Sequence, residues 1–457
     1  MIHLPFYVVP LTHPELEAAR LCAKKLPPVA IPEVRLDLLP QDADAEKFID
    51  SIRHRCIMSC RRVSEGGGWP DEDEAGRMEL MKHGLKGRPC WVDLEWELGI
   101  PDWLNAELGH TRLLRSVHTR PGVFDINARL QNLPHGDAYK WVGHAGRLAD
   151  NAAMKTALAD AKDHHIVLSA FLQGPKGIVS RCMQGAWGGS FTYAAPDDAA
   201  ESSPGQIKLE TMMSWRCHKI HPGHGICGVI GSPVLQSVGP KYHNVRFQKM
   251  FKDLIYLPLE ADSPEEALEA MQHIPLLGAS VTMPLKESLS SLMGFNGSNN
   301  TIWHRSNGDA WQVANTDAVA LERFLVELPK GPVLVLGSGG VAKTSMGVAA
   351  KVGHALMHSR RAPLAAQDIA ALAPVGAIQA TSLGMDTDDP LPFPDTLEAT
   401  LPTLRWAVEW VNRENTAFIA WAKGAGLRVV GGAELFEAQA ALQSRIFIGE
   451  CGGDSGV

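Results

Sequence analysis

The chain has 457 residues, 45% of them hydrophobic and 21% charged, with a net charge of −8 spread along its length. That length exceeds what one hydrophobic core serves and calls for two or three domains. The acidic balance, with no basic cluster to override it, excludes nucleic acid and anionic membrane surfaces as expected partners. No apolar run approaches the length of a bilayer span. Residues 1–11 are apolar but lack a basic leader and a small-residue cleavage site, so no processed leader is expected. The eight cysteines are scattered, with Cys56 and Cys60 the closest, which predicts free thiols in a reducing cytoplasm.

In chain order, apolar runs at 6–9, 33–38, 56–60, 91–95, 113–118, 138–142, 166–171 and 190–193 predict strands. Helix-compatible stretches lie between them, among them 14–25, 42–53 and 73–83. Eight strands alternating with helices over roughly 210 residues predict a (β/α)8 barrel, whose catalytic groups gather at the C-terminal ends of the strands. Residues 216–225, Arg-Cys-His-Lys-Ile-His-Pro-Gly-His-Gly, are polar and turn-rich and read as a linker. His218, His221 and His224 stand in it and could bind a metal, but with no carboxylate or cysteine set around them a solvated connector is expected and no resident metal. A new alternating series opens with a strand at 228–230 and runs to about residue 315. A strand at 332–336 then precedes Gly337-Ser338-Gly339-Gly340-Val341-Ala342 and a helix. A strand, a glycine-rich turn and a helix N-terminus together let backbone N–H groups meet a pyrophosphate. No internal repeat or low-complexity tract interrupts the chain.

A lone lysine at a strand end ordinarily keeps its head in water, but Lys140 has company. His118 closes the preceding predicted strand, and Glu33, Arg35 and Asp37 alternate along an early one, so they face one way. Arg61 and Glu65 follow the next strand, Asp93 and Glu95 the one after, and Arg181 and the run 202–206 come later. Polar groups at so many strand ends are costly unless they converge on a ligand.

The segments PEVRLDLL (32–39), RRVSEGG (61–67), WVDLEW (91–96), SVH (116–118), AYKWVGHA (138–145), GIVSR (177–181) and SSPGQ (202–206) resemble type I 3-dehydroquinate dehydratase, in that family's order. The resemblance implies that Lys140 forms an imine with the substrate ketone, which acidifies the neighbouring C–H. His118 would move the proton and Glu65 would orient His118. Arg181 and Arg61 would bind the carboxylate and oxygens, and Glu33, Arg35, Ser202 and Gln206 the hydroxyls. His144 is expected to pack locally.

The second half resembles shikimate dehydrogenase through GVIGSPVLQSVGPKYHN (228–244), GASVTMPLK (278–286), NNTI (299–302), ANTDA (314–318), LGSGGVA (336–342), HSRR (358–361), QATSLGM (379–385) and GGAELFEAQAALQ (431–443). By that resemblance Lys286 and Asp317 contact the reacting hydroxyl. Ser237 and Gln439 grip shikimate, with Thr282 and Asn300 lining the pocket. Gly337, Gly339, Gly340 and Val341 cradle the cofactor, and Gly432 lies near its nicotinamide. About 20 residues past the glycines, where an acid would select NAD, stand His358, Ser359, Arg360 and Arg361, which favours NADP. Gly239 leaves Ser237 as the lone hydroxyl where the family pattern has two. The segment 409–416 also lacks the tyrosine the pattern carries.

Together these features imply an α/β chain. Its expected parts are a dehydratase barrel at 1–216, a substrate lobe at 226–320 plus 433–457, and a Rossmann-like NADP lobe at 321–432. The expected small molecules are 3-dehydroquinate, 3-dehydroshikimate and shikimate. The alternative is a ligand sensor that kept both folds without turnover; the presence of Lys140, His118, Lys286 and Asp317 favours the enzyme.

Overall fold

The computed structural model describes residues 6–40, 42–52, 55–118, 130–304, 310–351, 353–361 and 363–450. The chain forms two compact units, Met1–Leu276 and Leu277–Val457. Among the described residues no helix is long and apolar enough to cross a membrane.

Eight parallel strands open the first unit: β1 (Tyr7–Pro10), β2 (Ala30–Arg35), β3 (Ile57–Ser59), β4 (Trp91–Glu95), β5 (Arg112–His118), β6 (Ala138–His144), β7 (Leu168–Gln173) and β8 (Thr192–Tyr193). Their order, β7-β6-β5-β4-β3-β2-β1-β8, is a barrel closed except for a strand ladder between β7 and β8. At that seam Ser190 N–H donates to the Leu168 carbonyl (2.9 Å) and the Ser169 hydroxyl to the Phe191 carbonyl (2.6 Å). Alternation along the strands builds two apolar layers. Val8, Ile31, Ile57, Trp91, Leu114, Ala138, Val142 and Phe171 form one cluster. Val34, Met58, Val92 and Leu94 join Phe48, Ile49, Met81 and Leu85 of the helices Ala45–Ser51 and Glu74–Leu85 in the other. Asp44 and Asp73 cap those two helices by accepting from Lys47 N–H (3.1 Å) and Gly76 N–H (3.0 Å).

One expectation shifts. The strand expected over 33–38 is instead Ala30–Arg35, and Leu36–Leu38 turns into a 3-10 helix. Asp37 therefore leaves the strand face it was expected to share with Glu33 and Arg35. It receives two hydrogen bonds from Arg35 (2.9 and 2.6 Å) and the N–H groups of Arg61 and Gly68.

The first unit continues through β9 (Gly225–Gly231) and β10 (Leu254–Glu260), paired in parallel, with the helices Gly239–Lys249 and Pro264–His273. Glu266, nearly buried, accepts from the Leu148 N–H (3.0 Å) and pairs with Lys176 (2.8 Å), which also meets Asp262 (2.8 Å).

In the second unit β11 (Leu276–Val281), β12 (Thr301–Trp303) and β13 (Gln312–Ala314) form an antiparallel ladder. A five-stranded parallel sheet follows: β14 (Val333–Leu336), β15 (Ala355–His358), β16 (Gly376–Gln379), β17 (Trp406–Glu409) and β18 (Arg428–Val430), in the order β15-β14-β16-β17-β18. Val333, Val335, Ile378 and Val408 pack against Leu321, Leu325, Val348 and Leu435 on one face. Leu334, Leu336, Ala377 and Ala407 pack against Leu397 and Phe418 on the other. This is a doubly wound sheet, and its order reverses at β14 and β16, where such folds bind ligands beyond the strand ends.

Candidate active sites

β6 places Ala138, Lys140 and Val142 on one side of the strand, and Ala138 and Val142 belong to the apolar interior. Lys140 is thereby sent into the barrel, where it is fully buried. Its amine contacts the Asp93 carboxylate and lies 3.2 Å from the Tyr193 hydroxyl. In register, Ser116 of β5 stands opposite Lys140, and His118 sits two residues further toward the strand's C-terminal end.

A cavity of about 330 Å³ opens above, lined by Lys140, His118, Glu65, Glu33, Arg35, Arg61, Arg181, Tyr193, Ser202 and Gln206 among others. The barrel residues expected to act are therefore brought together. Arg61 spans the floor, donating to Glu33 (3.0 Å) and Asp93 (3.2 Å) and contacting the His118 ring, whose Nδ1 is 3.2 Å away. Glu65 stands 3.7 Å from His118 Nδ1, longer than a hydrogen bond. Ser202 donates from both N–H and hydroxyl to the Gln206 side-chain Oε1 (3.0 Å each). Glu95, by contrast, is held by Arg77 (2.7 Å).

The electrostatics separate the groups by role. Burial, and then the Arg61 cation, push the Lys140 amine below its ordinary value, against the pull of Asp93 and Glu33. Burial and Arg61 also hold the His118 imidazole well below its ordinary value, so it is neutral. Burial raises Glu65 to about 7. Burial opposes charge on Glu33, but Arg61, Lys140 and Arg35 more than offset it and hold the carboxyl down at about 2. Arg181 is fully buried over the Phe171 ring (4.4 Å) and donates to the Tyr193 carbonyl (3.2 Å), while its Nε and Nη2 have no partner among the described residues. A buried guanidinium with unpaired donors is an anion site by chemistry.

In the second unit Lys286 opens the helix Lys286–Leu292 and Asp317 lies in the first turn of Thr316–Val326, capped by Asn315, which accepts from Ala318 N–H (3.0 Å). The Lys286 amine donates to Asp317 at 2.7 Å, with both side chains partly open to solvent. Asn300 spends its side-chain carbonyl on Thr316 N–H (2.8 Å) and the hydroxyls of Thr316 and Thr301 (2.9 Å each). Gln439 accepts from the Thr316 hydroxyl (3.3 Å), so Asn300, Thr316 and Gln439 form one polar cluster beside Asp317. Thr282 begins the turn into Lys286, its carbonyl accepting from Leu285 N–H (2.9 Å). Ser237 lies in the first unit, where its hydroxyl accepts from Gly239 N–H (3.2 Å).

After β14, Gly337 takes a φ of +123°, and a Cβ there would stand 2.6 Å from the Ala380 carbonyl oxygen, so only glycine fits. Gly339 caps the helix Gly340–Ala349, whose first residues include Val341. Beyond β15, Ser359 is buried and Arg360 and Arg361 are exposed. Gly432 starts the helix Gly432–Phe447 where the Val411 carbonyl would meet a Cβ at 2.1 Å.

Two family models match the chain. Residues 7–215 match the model for type I 3-dehydroquinase, and residues 229–297 match the shikimate dehydrogenase substrate binding domain, together more than half of the chain. The chain joins a type I 3-dehydroquinase domain to a shikimate dehydrogenase substrate binding domain. Among solved structures, the dehydroquinate dehydratase and shikimate dehydrogenase of S. pombe is similar at 19% identity over 98% of this chain and 96% of that one, with a TM-score of 0.41. Shikimate dehydrogenase from Aquifex aeolicus is similar at 21% identity over 49% of this chain and 92% of that one, with a TM-score of 0.42. The shikimate 5-dehydrogenase of Thermus thermophilus, in complex with NADP(H) and shikimate, is similar at 22% identity over 49% of this chain and 94% of that one, with a TM-score of 0.41.

In the dehydroquinase half, sequence reasoning assigned no role to Asp93 and did not single out Tyr193. Both touch Lys140. Asp93 announced itself only as a carboxylate on an apolar strand, and Tyr193 reads as one more core aromatic. In the dehydrogenase half the overlooked residue is Tyr256. A Cβ added to Gly239 would lie 3.1 Å from its ring and 3.2 Å from the Ser237 hydroxyl, so the place of a second serine is already tight.

Proposed function

We propose that the first half dehydrates 3-dehydroquinate through an imine on Lys140, and that the second reduces the product, 3-dehydroshikimate, to shikimate with NADPH, in the cytoplasm. The observation that carries the reading is a buried lysine, a neutral imidazole and an unsatisfied arginine in one cavity. Arg181 takes the substrate carboxylate on its free Nε and Nη2. The neutral Lys140 amine attacks the ketone carbon; a C–N bond forms and the carbonyl oxygen leaves as water. The protonated imine draws electrons from the adjacent carbon, and His118 removes its proton. His118 then returns that proton to the departing hydroxyl, and hydrolysis of the imine frees Lys140. Glu65 orients His118, burial and then Arg61 favour the neutral forms of the lysine and the imidazole, and Glu33, Arg35, Ser202 and Gln206 hold the ring hydroxyls.

In the second half Lys286, paired with Asp317, donates to the oxygen that gains negative charge, and Thr282, Asn300 and Gln439 hold the rest of the substrate. The residues fit an NADP-type cofactor: Gly337 is a cradle that a Cβ would fill, and Arg360 and Arg361 offer exposed cations with no carboxylate at that turn. Gly337, Gly339, Gly340 and Val341 would hold the pyrophosphate, Ser359, Arg360 and Arg361 the 2′-phosphate, and Gly432 would adjoin the nicotinamide. When bound, the cofactor supplies hydride. The proposed domains are 1–216, 226–320 with 433–457, and 321–432.

The test supplies 3-dehydroquinate and NADPH to the intact chain and follows shikimate and NADPH together. Shikimate formed with matching NADPH loss is expected. Accumulation of 3-dehydroshikimate alone would confine the activity to the first half, and unchanged 3-dehydroquinate would overturn the reading.

A further inference from the structure

The linker histidines, read from sequence as a solvated connector, acquire a third partner in the fold. His221-Pro222-Gly223-His224 is a tight turn: His224 N–H donates to the His221 carbonyl (3.2 Å), proline takes the second place, and Gly223 has φ +105° in the third. That is the signature of a type II turn, which fixes its first and last residues side by side. The two imidazoles meet edge to face, with centroids 4.2 Å apart. The Gly225 N–H donates to the Asp253 carbonyl (2.9 Å), which brings the start of β10 against the turn.

The result is a convergence of donor atoms. His221 Nε2 lies 3.8 Å and His224 Nε2 3.9 Å from the same oxygen of Asp253. These gaps are too long for hydrogen bonds. A tetrahedral divalent ion bound at about 2.0–2.2 Å needs donors roughly 3.3–3.5 Å apart, so small side-chain movements close the set around one ion. Each δ nitrogen has a backbone carbonyl within reach, Pro222 for His221 (3.1 Å) and His221 for His224 (3.2 Å), which leaves the ε nitrogens as ligands. His224 Nδ1 also lies 3.3 Å from the His221 N–H, a contact that metal binding at Nε2 would have to outweigh. His224 is largely buried, which limits the positions its ring can take beside the Asp253 carboxylate. Asp253 and His221 are exposed, so an ion has an entry path.

We propose that His221, His224 and Asp253 form a two-histidine, one-carboxylate site for a borderline divalent metal such as Zn²⁺, with water completing the shell. It is remote in sequence from both catalytic sets. Two imidazoles and one carboxylate select zinc, cobalt or nickel over magnesium or calcium. Its effect is to staple the linker turn to the start of β10.

The test uses the tag-free full-length chain, stripped with chelator and titrated calorimetrically with Zn²⁺, then with Mg²⁺. One Zn²⁺ per chain and no Mg²⁺ uptake are expected, with Tm rising by about 2–4 °C. Co²⁺ should give visible absorption typical of a four-coordinate ion. Asp253→Asn should weaken Zn²⁺ at least about tenfold, and His221→Ala should remove both the Co²⁺ band and the Tm rise. Zinc binding that persists unchanged in a His221→Ala, His224→Ala double variant would overturn the assignment, as would no uptake by the unmutated chain.

Discussion

Two lysines in this chain stand in opposite surroundings, and the proposed mechanism asks opposite chemistry of them. Lys140 is fully buried on an interior strand position, crowded by Arg61. Lys286 opens a short helix with its amine partly in solvent, 2.7 Å from a carboxylate. An amine that must attack carbon has to shed its proton, and burial with a neighbouring cation disfavours the charged form. An amine that supports a developing alkoxide has only to donate a hydrogen bond to it. The residue type is the same; depth and company decide what it does.

The comparison breaks most sharply under substitution of each lysine. Lys140→Ala should reduce dehydratase turnover to background while leaving 3-dehydroshikimate reduction intact, and Lys286→Ala should do the reverse. Borohydride with 3-dehydroquinate should add ligand mass to Lys140 alone. Adduct on Lys286, or an active Lys140→Ala, would erase the distinction.

Next come the two arginine sites, one buried and one exposed. Arg181→Met removes the proposed charge-assisted contact from a buried guanidinium, about 1.5–3 kcal/mol, and should raise the KM for 3-dehydroquinate roughly ten- to a hundred-fold. Arg360→Ala acts in water and should narrow the NADP/NAD preference toward the lower end of that range, about tenfold. A larger effect at Arg360 than at Arg181 would reverse the expected order.

The pH profile sharpens the same point. Lys140 must be neutral, so the rate of borohydride trapping should rise with pH through its depressed pKa, below that of a free lysine. His118 is depressed too, so its protonation should limit turnover only well below pH 6.5. Removing Arg61, a cation that favours the neutral amine, should move the trapping limb to higher pH by about one unit or more. A limb that stays in place in Arg61→Met would assign the depression to burial alone. The smallest effect is expected at Gly239. A serine there presses on Tyr256, so Tm should fall by a few degrees with KM for shikimate unchanged. A several-fold lower KM at unchanged Tm would mean that the loop had room for the second hydroxyl and lacked only the residue.

What could be read from sequence follows the range of the signals. The eight barrel strands were legible because buried parallel strands are short apolar runs between turns. Their ends were not: Asp37 looked like a third residue on one face, yet the chain turns at Leu36. Lys140, His118 and Arg181 stood out as polar residues where apolar ones were due. The pairing of Lys140 with Asp93 and Tyr193 depends on strands 47 and 53 residues away closing into one barrel, which no local pattern carries. Asp253 was invisible to the linker histidines for the same reason.

The carboxylate of Glu266 bears on how this polypeptide can be divided. It takes the Leu148 N–H and the Lys176 ammonium with only a tenth of its side chain exposed. A truncation in the linker at 216–225, where sequence suggests the cut, would strip that side chain of both donors and leave Lys176 facing water in the free barrel. A fragment extended through the helix Pro264–His273 keeps the contacts whole. The expected linker and the boundary between the two compact units, after Leu276, therefore do not coincide.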